Sequence, residues 1–226
     1  MTLAEKAYDA LRHDIIRGEL APGRPLRLSD LSERYDMGFS PLREALNRLH
    51  AERLVTAESL RGFRVAPLSL DELHDAVNVR IKVECDALRA SIELGDDNWA
   101  AGIVSALYAL NLQVGRTGPD ADIWTLEARH YAFHRALLAA CNSPWTLEFF
   151  ERLYAATERY RIPTLLAATH PAGRDVQAEH SALAEATLAR DADKATALLE
   201  AHYRRTADHL SSVFGTDKPS DMAMAV

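Results

Sequence analysis

"FSPLREALNRLHAERLV", residues 39–55, carries five charged side chains on what reads as a short helix, opened by Ser40-Pro41 and closed by the apolar pair Leu54-Val55. Leu42, Ala45, Leu46 and Leu49 recur at helical spacing, so one face is set for burial. Ser40 suits an N-cap, and a proline directly after it takes the first helical position, where its missing N–H costs nothing. The opposite face displays Arg43 and Arg48, and Arg53 follows. What flanks this helix decides the fold of the first third of the chain.

Upstream, Ala7, Leu11 and Ile15, with Tyr8 beside them, predict a helix over 4–17 that Gly18 ends. "GELAPGRPL" reads as a turn-rich connection. Ser29 then precedes a short helix, "DLSERYDM", which Gly38 breaks. Downstream, "LVTA" and "FRVAP" are β-prone runs separated by "ESLRG", a hairpin with an exposed basic tip. Three helices and a hairpin within residues 1–67 describe a winged helix-turn-helix.

From Ser69 the character changes. "SLDE" is a capping-box pattern opening a long helix to Leu94, and Gly95 stops it. Further helices are expected at about 97–114, 121–141, 145–168, 174–190 and 192–212, with no strand among them. The expected fold is therefore mostly α: a winged helix-turn-helix over 1–67, an all-helical bundle over 68–213, and a flexible tail over 214–226.

Charge separates the same two units. The whole chain of 226 residues has a net charge of −7, but residues 1–67 hold 11 Lys and Arg against 10 Asp and Glu, and the remainder holds 15 against 23. A near-neutral first third on an acidic remainder points to two units with different partners. No run nears the roughly 20 apolar residues that span a bilayer. The first residues lack an apolar signal core, and two distant cysteines, Cys85 and Cys141, do not suggest a disulfide framework, so a cytoplasmic protein is expected.

In a helix-turn-helix the second helix of the pair enters the major groove leading end first. That places Phe39, Ser40, Leu42 and Arg43 at the leading end near base edges, where Arg43 can make a bidentate contact to guanine or hold a phosphate. Arg61 and Gly62 at the hairpin tip can approach the minor groove, and Arg27 is a further phosphate contact. The plainer alternative is that these arginines are only the solvated face of an amphipathic helix.

The segment from "IIRGELAPG" through "SPLREALNRLHAERLVTAESLRGFRVAP" resembles the N-terminal domain of GntR-family bacterial transcription regulators, with "G-x-L-x-P-G" and "P-L-R-E-A-L-x-R-L" as its most specific parts. The resemblance implies a homodimer on a palindromic stretch of double-stranded operator DNA. One departure stands out: the family usually has Ser or Thr and then Arg where this chain has Gly38 and Phe39.

In the second unit, "RHYAFHRALLAACNSP" puts His130 and His134 four residues apart on one helix face, while "AEHSALAEA" and "LLEAHYRRTADHL" supply His180 and His202. Four histidines from three helices can hold a divalent transition metal, and such a site accepts zinc or nickel. The alternatives are hydrogen-bonded histidines in an unmetallated scaffold, or a metal-dependent hydrolase. Against the hydrolase, Tyr131 stands where a zinc-protease helix has its Glu.

This unit resembles the FCD ligand-binding domain that follows the winged helix in one GntR subfamily, which usually binds metal through Asp-x3-His and two later histidines. The resemblance carries over to His134, His180 and His202, with His130 in the place of the usual Asp. It implies a small carboxylate effector. "PLREALNRLHAERLVT", the "RH" before "xAFH" and "ATERYR" are further similar to glutarate-responsive repressors of lysine and glutarate catabolism. An effector carboxylate needs a cationic partner. Arg80, among Val77, Val79, Ile81 and Val83, is one candidate, with an internal Arg80–Glu84 pair as the alternative. Arg161 is the second, in competition with Arg159. Together these readings describe a one-component repressor relieved by effector, and not an enzyme.

Overall fold

Thr2 starts the first helix, α1 (Leu3–Ile16), through a capping box: its hydroxyl accepts from the Glu5 N–H and the Glu5 carboxylate accepts from the Thr2 N–H. The computed structural model describes residues 1–58, 62–116, 122–166 and 174–215. Contacts divide the chain into two units, Met1–Ser69 with Ala155–Pro163, and Leu70–Tyr154 with Thr164–Val226.

The first unit continues with β1 (Pro25–Leu26), α2 (Leu28–Tyr35), α3 (Phe39–Ala51), β2 (Val55–Glu58) and β3 (Gly62–Val65). β2 and β3 pair antiparallel with Val55 opposite Val65, as the hairpin reading expects. β1 adds a third strand in the order β1-β3-β2. The turn-rich reading of "GELAPGRPL" missed that strand because two residues carry no alternation pattern. Pro25 is tolerated there because β1 is an edge. Gly62 turns the wing with φ +86°, a left-handed conformation that suits glycine.

Two helix starts differ from expectation. α2 is entered from Arg27, and the Ser29 hydroxyl donates to the Asp30 carboxylate instead of capping. α3 is entered from Gly38, so Ser40 and Pro41 lie inside its first turn and Ser40 is not the N-cap. The shift leaves proline unpenalised, because the first four N–H groups of any helix lack an intrahelical acceptor. The inward face of α3 is as read: Leu42, Ala45, Leu46 and Leu49 are buried in one cluster with Leu11, Leu20, Leu26, Leu31, Leu54, Val55 and Val65. Beside this core the Asp14 carboxylate accepts from Arg34 and from the Tyr35 hydroxyl, joining α1 to α2.

The second unit is built from α4 (Leu70–Leu94), α5 (Asp97–Val114), α6 (Ile123–Leu137), α7 (Pro144–Leu166), α8 (Val176–Leu188) and α9 (Ala192–Gly215). The middle of α7, Ala155–Pro163, is grouped with the first unit. There Arg12 pairs with Glu158, the Arg159 guanidinium donates to the carbonyls of Ala66 and Pro67, and the Tyr160 hydroxyl donates to the Ser69 carbonyl at 3.0 Å. α6 and α8 start later than expected because Asp122 and Asp175 stand outside them as N-caps. α4 packs on α9, α5 on α6 and α8, and α8 on α9. Gly95 is required where α4 ends, since a Cβ there would lie 2.2 Å from the Trp99 ring. α9 continues through Gly215, and the remainder of the expected tail lies outside the described residues. Among the described residues no strand follows Val65, and no helix is long and apolar enough to cross a membrane.

Candidate functional site

α6 carries His130 and His134 one turn apart, α8 carries His180, and α9 carries His202. Helix packing brings one nitrogen of each to within 4.8 Å of the others, with three rings buried and His130 partly so. Ring centroids are 4.6 Å apart for His130 and His134, and 4.7 Å for His180 and His202. Nothing in the amino-acid order requires the convergence. It follows from α8 lying against α9 and α6 turning its histidine face to the same place.

Proton accounting shows which nitrogen of each ring faces inward. Tyr154 gives its single hydroxyl proton to Glu127 at 2.8 Å, so its oxygen accepts from His130 Nδ1 at 2.8 Å. Tyr203 gives its proton to Glu84, so its oxygen accepts from Arg80 at 3.0 Å and from His134 Nδ1 at 3.1 Å. A carboxylate only accepts, so Glu179 Oε2, 2.8 Å from His202 Nδ1, takes that ring's proton. In all three rings Nδ1 is the N–H and Nε2 keeps its lone pair, the tautomer that hydrogen bonding assigns to metal-binding histidines.

Two further observations fit a cation. His130 Nε2 and His134 Nε2 face each other at 3.1 Å, and with both Nδ1 atoms protonated this contact sets lone pair against lone pair. His180 Nε2 is buried with no hydrogen-bond partner, an arrangement that costs free energy unless something fills it. Burial pushes the His134 and His180 rings well below the usual histidine range, aided for His134 by the neighbouring His130 and for His180 by His202. His202 is also lowered by burial, against the opposing pull of Glu179. His134, His180 and His202 are thus poised as neutral ligands.

Glu127, Glu84 and Glu179 surround this centre at one remove, each through a tyrosine or directly. Arg174 and Arg205 clamp Glu179, at 2.7 Å and 2.6 Å. Sequence reading missed Tyr154, Tyr203 and Glu179 as supports. Tyr203 follows His202 and Glu179 precedes His180, yet each serves a histidine on a different helix, so chain adjacency gave the wrong pairing.

Arg80 does reach this network. It is buried, its Nε donates to Glu84 at 2.6 Å, and its guanidinium lies over the Tyr203 ring at 4.3 Å. The internal Arg80–Glu84 pair is therefore present, and it is part of the histidine surroundings. Arg161 is buried, donates to Thr157 at 2.8 Å and is grouped with the first unit, as is Arg159.

In the first unit, Arg27, Ser40, Arg43 and Gly62 are exposed, and Arg61 lies outside the described residues. Arg43 stands on the solvent face of α3. Arg48 does not share its freedom, since its guanidinium lies over the Tyr8 ring at 4.0 Å.

A family model described as bacterial regulatory proteins, gntR family, matches residues 3–65, and the FCD domain matches residues 75–205. The chain is 42% identical over 205 residues to the HTH-type transcriptional regulator BphR of Paraburkholderia xenovorans (strain LB400), covering 89% of this chain and 82% of that protein. It is 36% identical over 197 residues to the HTH-type transcriptional repressor GlaR of Escherichia coli (strain K12), covering 86% and 90%. The solved structure of E. coli McbR/YncC shares the fold, with a TM-score of 0.75, 22% identity, and coverage of 95% of this chain and 99% of that one. These relatives and families are transcriptional regulators and not enzymes, which sets the hydrolase alternative aside.

Proposed function

This chain belongs to the gntR family of bacterial regulatory proteins, carries an FCD domain and is a DNA-binding transcriptional regulator, and from that premise we propose a specific mode of action. It represses as a homodimer on a palindromic operator. A small carboxylate, bound beside a divalent transition metal in the second unit, relieves the repression.

One observation carries the metal part: three buried or half-buried imidazoles have their Nδ1 protons committed outward, so their Nε2 lone pairs converge with the orphaned Nε2 of His180. His130, His134, His180 and His202 would hold the ion, zinc or nickel, which when bound supplies a positive centre for an anionic effector. Four neutral ligands leave the full ionic charge available, which favours a carboxylate more than an Asp-containing set does. Arg80, buried and paired with Glu84, reaches His134 through Tyr203 and is the cationic candidate in these surroundings. An effector that binds one arrangement of the regulator better than the other shifts the population between them, and so shifts operator affinity.

A thermal-shift screen of the full chain against mono- and dicarboxylates, glutarate included, with and without chelator, tests this reading. A ligand bound beside the ion raises the melting temperature, and chelation abolishes the gain. Stabilisation that survives chelation, or no stabilisation by any carboxylate, would overturn it.

A further inference from the structure

α3 turns one line of side chains outward, one per helical turn: Phe39, Arg43 and Asn47, all exposed. Phe39 is the apolar member. It is the first residue of α3 and is 55% exposed. Nearby Tyr35 and Met37 pack against the apolar cluster of the unit, and Phe39 is not among the residues that do. An aromatic side chain held out at the leading end of a recognition helix serves the fold little, so its use lies in what that helix meets.

The commonest specific reader of a base edge is arginine, and this leading position carries none. Arginine recognises guanine through donated hydrogen bonds. Phenylalanine has no donor or acceptor, and in the major groove the apolar group a base edge offers it is the C5-methyl of thymine. We infer that Phe39 is a specificity-determining residue that reads one thymine in each operator half-site by contact with that methyl. The inference rests on the DNA-binding reading and adds the base it selects. Arg43 lies one turn further on, about 6 Å along the helix axis. That is about two base steps of 3.4 Å, so the thymine falls within about two base pairs of the group Arg43 contacts.

The test begins with selection of bound duplexes from a random pool by the full chain. Each thymine of the recovered half-site is then replaced by deoxyuridine, which removes only the methyl. The expected result is one position per half-site where the replacement weakens binding about fourfold, the worth of one buried methyl. Phe39→Ala should bind the thymine and deoxyuridine duplexes alike at an unchanged melting temperature, and Phe39→Leu should retain part of the discrimination. If no thymine position responds, or if the difference persists in Phe39→Ala, the inference is wrong while the regulator reading stands. If no sequence is enriched at all, both fall.

Discussion

His130 Nε2 and His134 Nε2 lie 3.1 Å apart with both Nδ1 atoms protonated and hydrogen-bonded to tyrosine oxygens. Two lone pairs held together in a largely buried site cost free energy that a bound cation would relieve. Elemental analysis of the purified, dialysed chain should therefore find one transition-metal ion per chain, and chelation should lower the melting temperature. His134→Ala should contain no metal. A chain that holds no ion, with a melting temperature indifferent to chelator, would show the histidines to be structural only.

Glu179 orients His202 and is itself clamped by Arg174 and Arg205. Glu179→Gln keeps the shape but weakens the acceptor, and substitutions at this remove typically cost about 10–100-fold in metal affinity. A competitive chelator titration should read a loss in that range with helical content unchanged. An unaltered affinity would remove Glu179 from the centre's support.

Asp14 gives a pH-dependent prediction for the first unit. Burial raises its carboxyl pKa, but hydrogen bonds from Tyr35 and Arg34 and the charge of Arg34 outweigh this, and the net shift is downward. A carboxyl lowered in the folded state contributes stability that is fully present above its unfolded value, about 3.9. That stability is lost as pH falls through the folded value. Asp14→Asn should therefore melt below the wild type at pH 7, with the gap narrowing as pH drops below about 4. A gap that stays constant down to acid pH would contradict the assignment.

Arg43 and Arg48 are close in sequence yet should behave differently toward DNA. Arg43→Ala removes an exposed cation from α3 and should weaken operator binding by about 1–3 kcal/mol if it reads a base, or lower the salt slope by about 1 if it meets a phosphate. Arg48→Ala instead loses the stacking on Tyr8, about 0.5–1 kcal/mol at such a site, and should show up in stability more than in DNA affinity. Fluorescence anisotropy at two salt concentrations separates the cases. Equal losses of operator affinity for both variants would mean the stacked guanidinium also faces DNA.

Local chemistry made much of this protein legible in advance. The spacing of Leu42, Ala45, Leu46 and Leu49 determined which face of α3 is buried, because helical period alone decides it. The β-prone runs around "ESLRG" determined the hairpin, and Gly95 marked the end of α4. His130 and His134 could be placed on one face by counting. What counting could not supply was the partner of any residue on another element. The first turn of α3 shows the same limit at short range: Gly38, Phe39, Ser40 and Pro41 are all compatible with a helix start, and only the folded backbone selected Gly38 as the cap.

The sequence by itself thus pointed to a winged helix-turn-helix, a helical remainder and the shared face of His130 and His134, because these depend on residues a few positions apart. The tertiary structure alone decided that the imidazoles of α6, α8 and α9 meet, that Tyr154, Tyr203 and Glu179 hold their protons outward, and that Arg80 joins them through Tyr203. Those are relations between residues up to 123 positions apart, between Arg80 and Tyr203. They come from helix packing, where burial and the need to satisfy every polar group select one arrangement that no local spacing encodes.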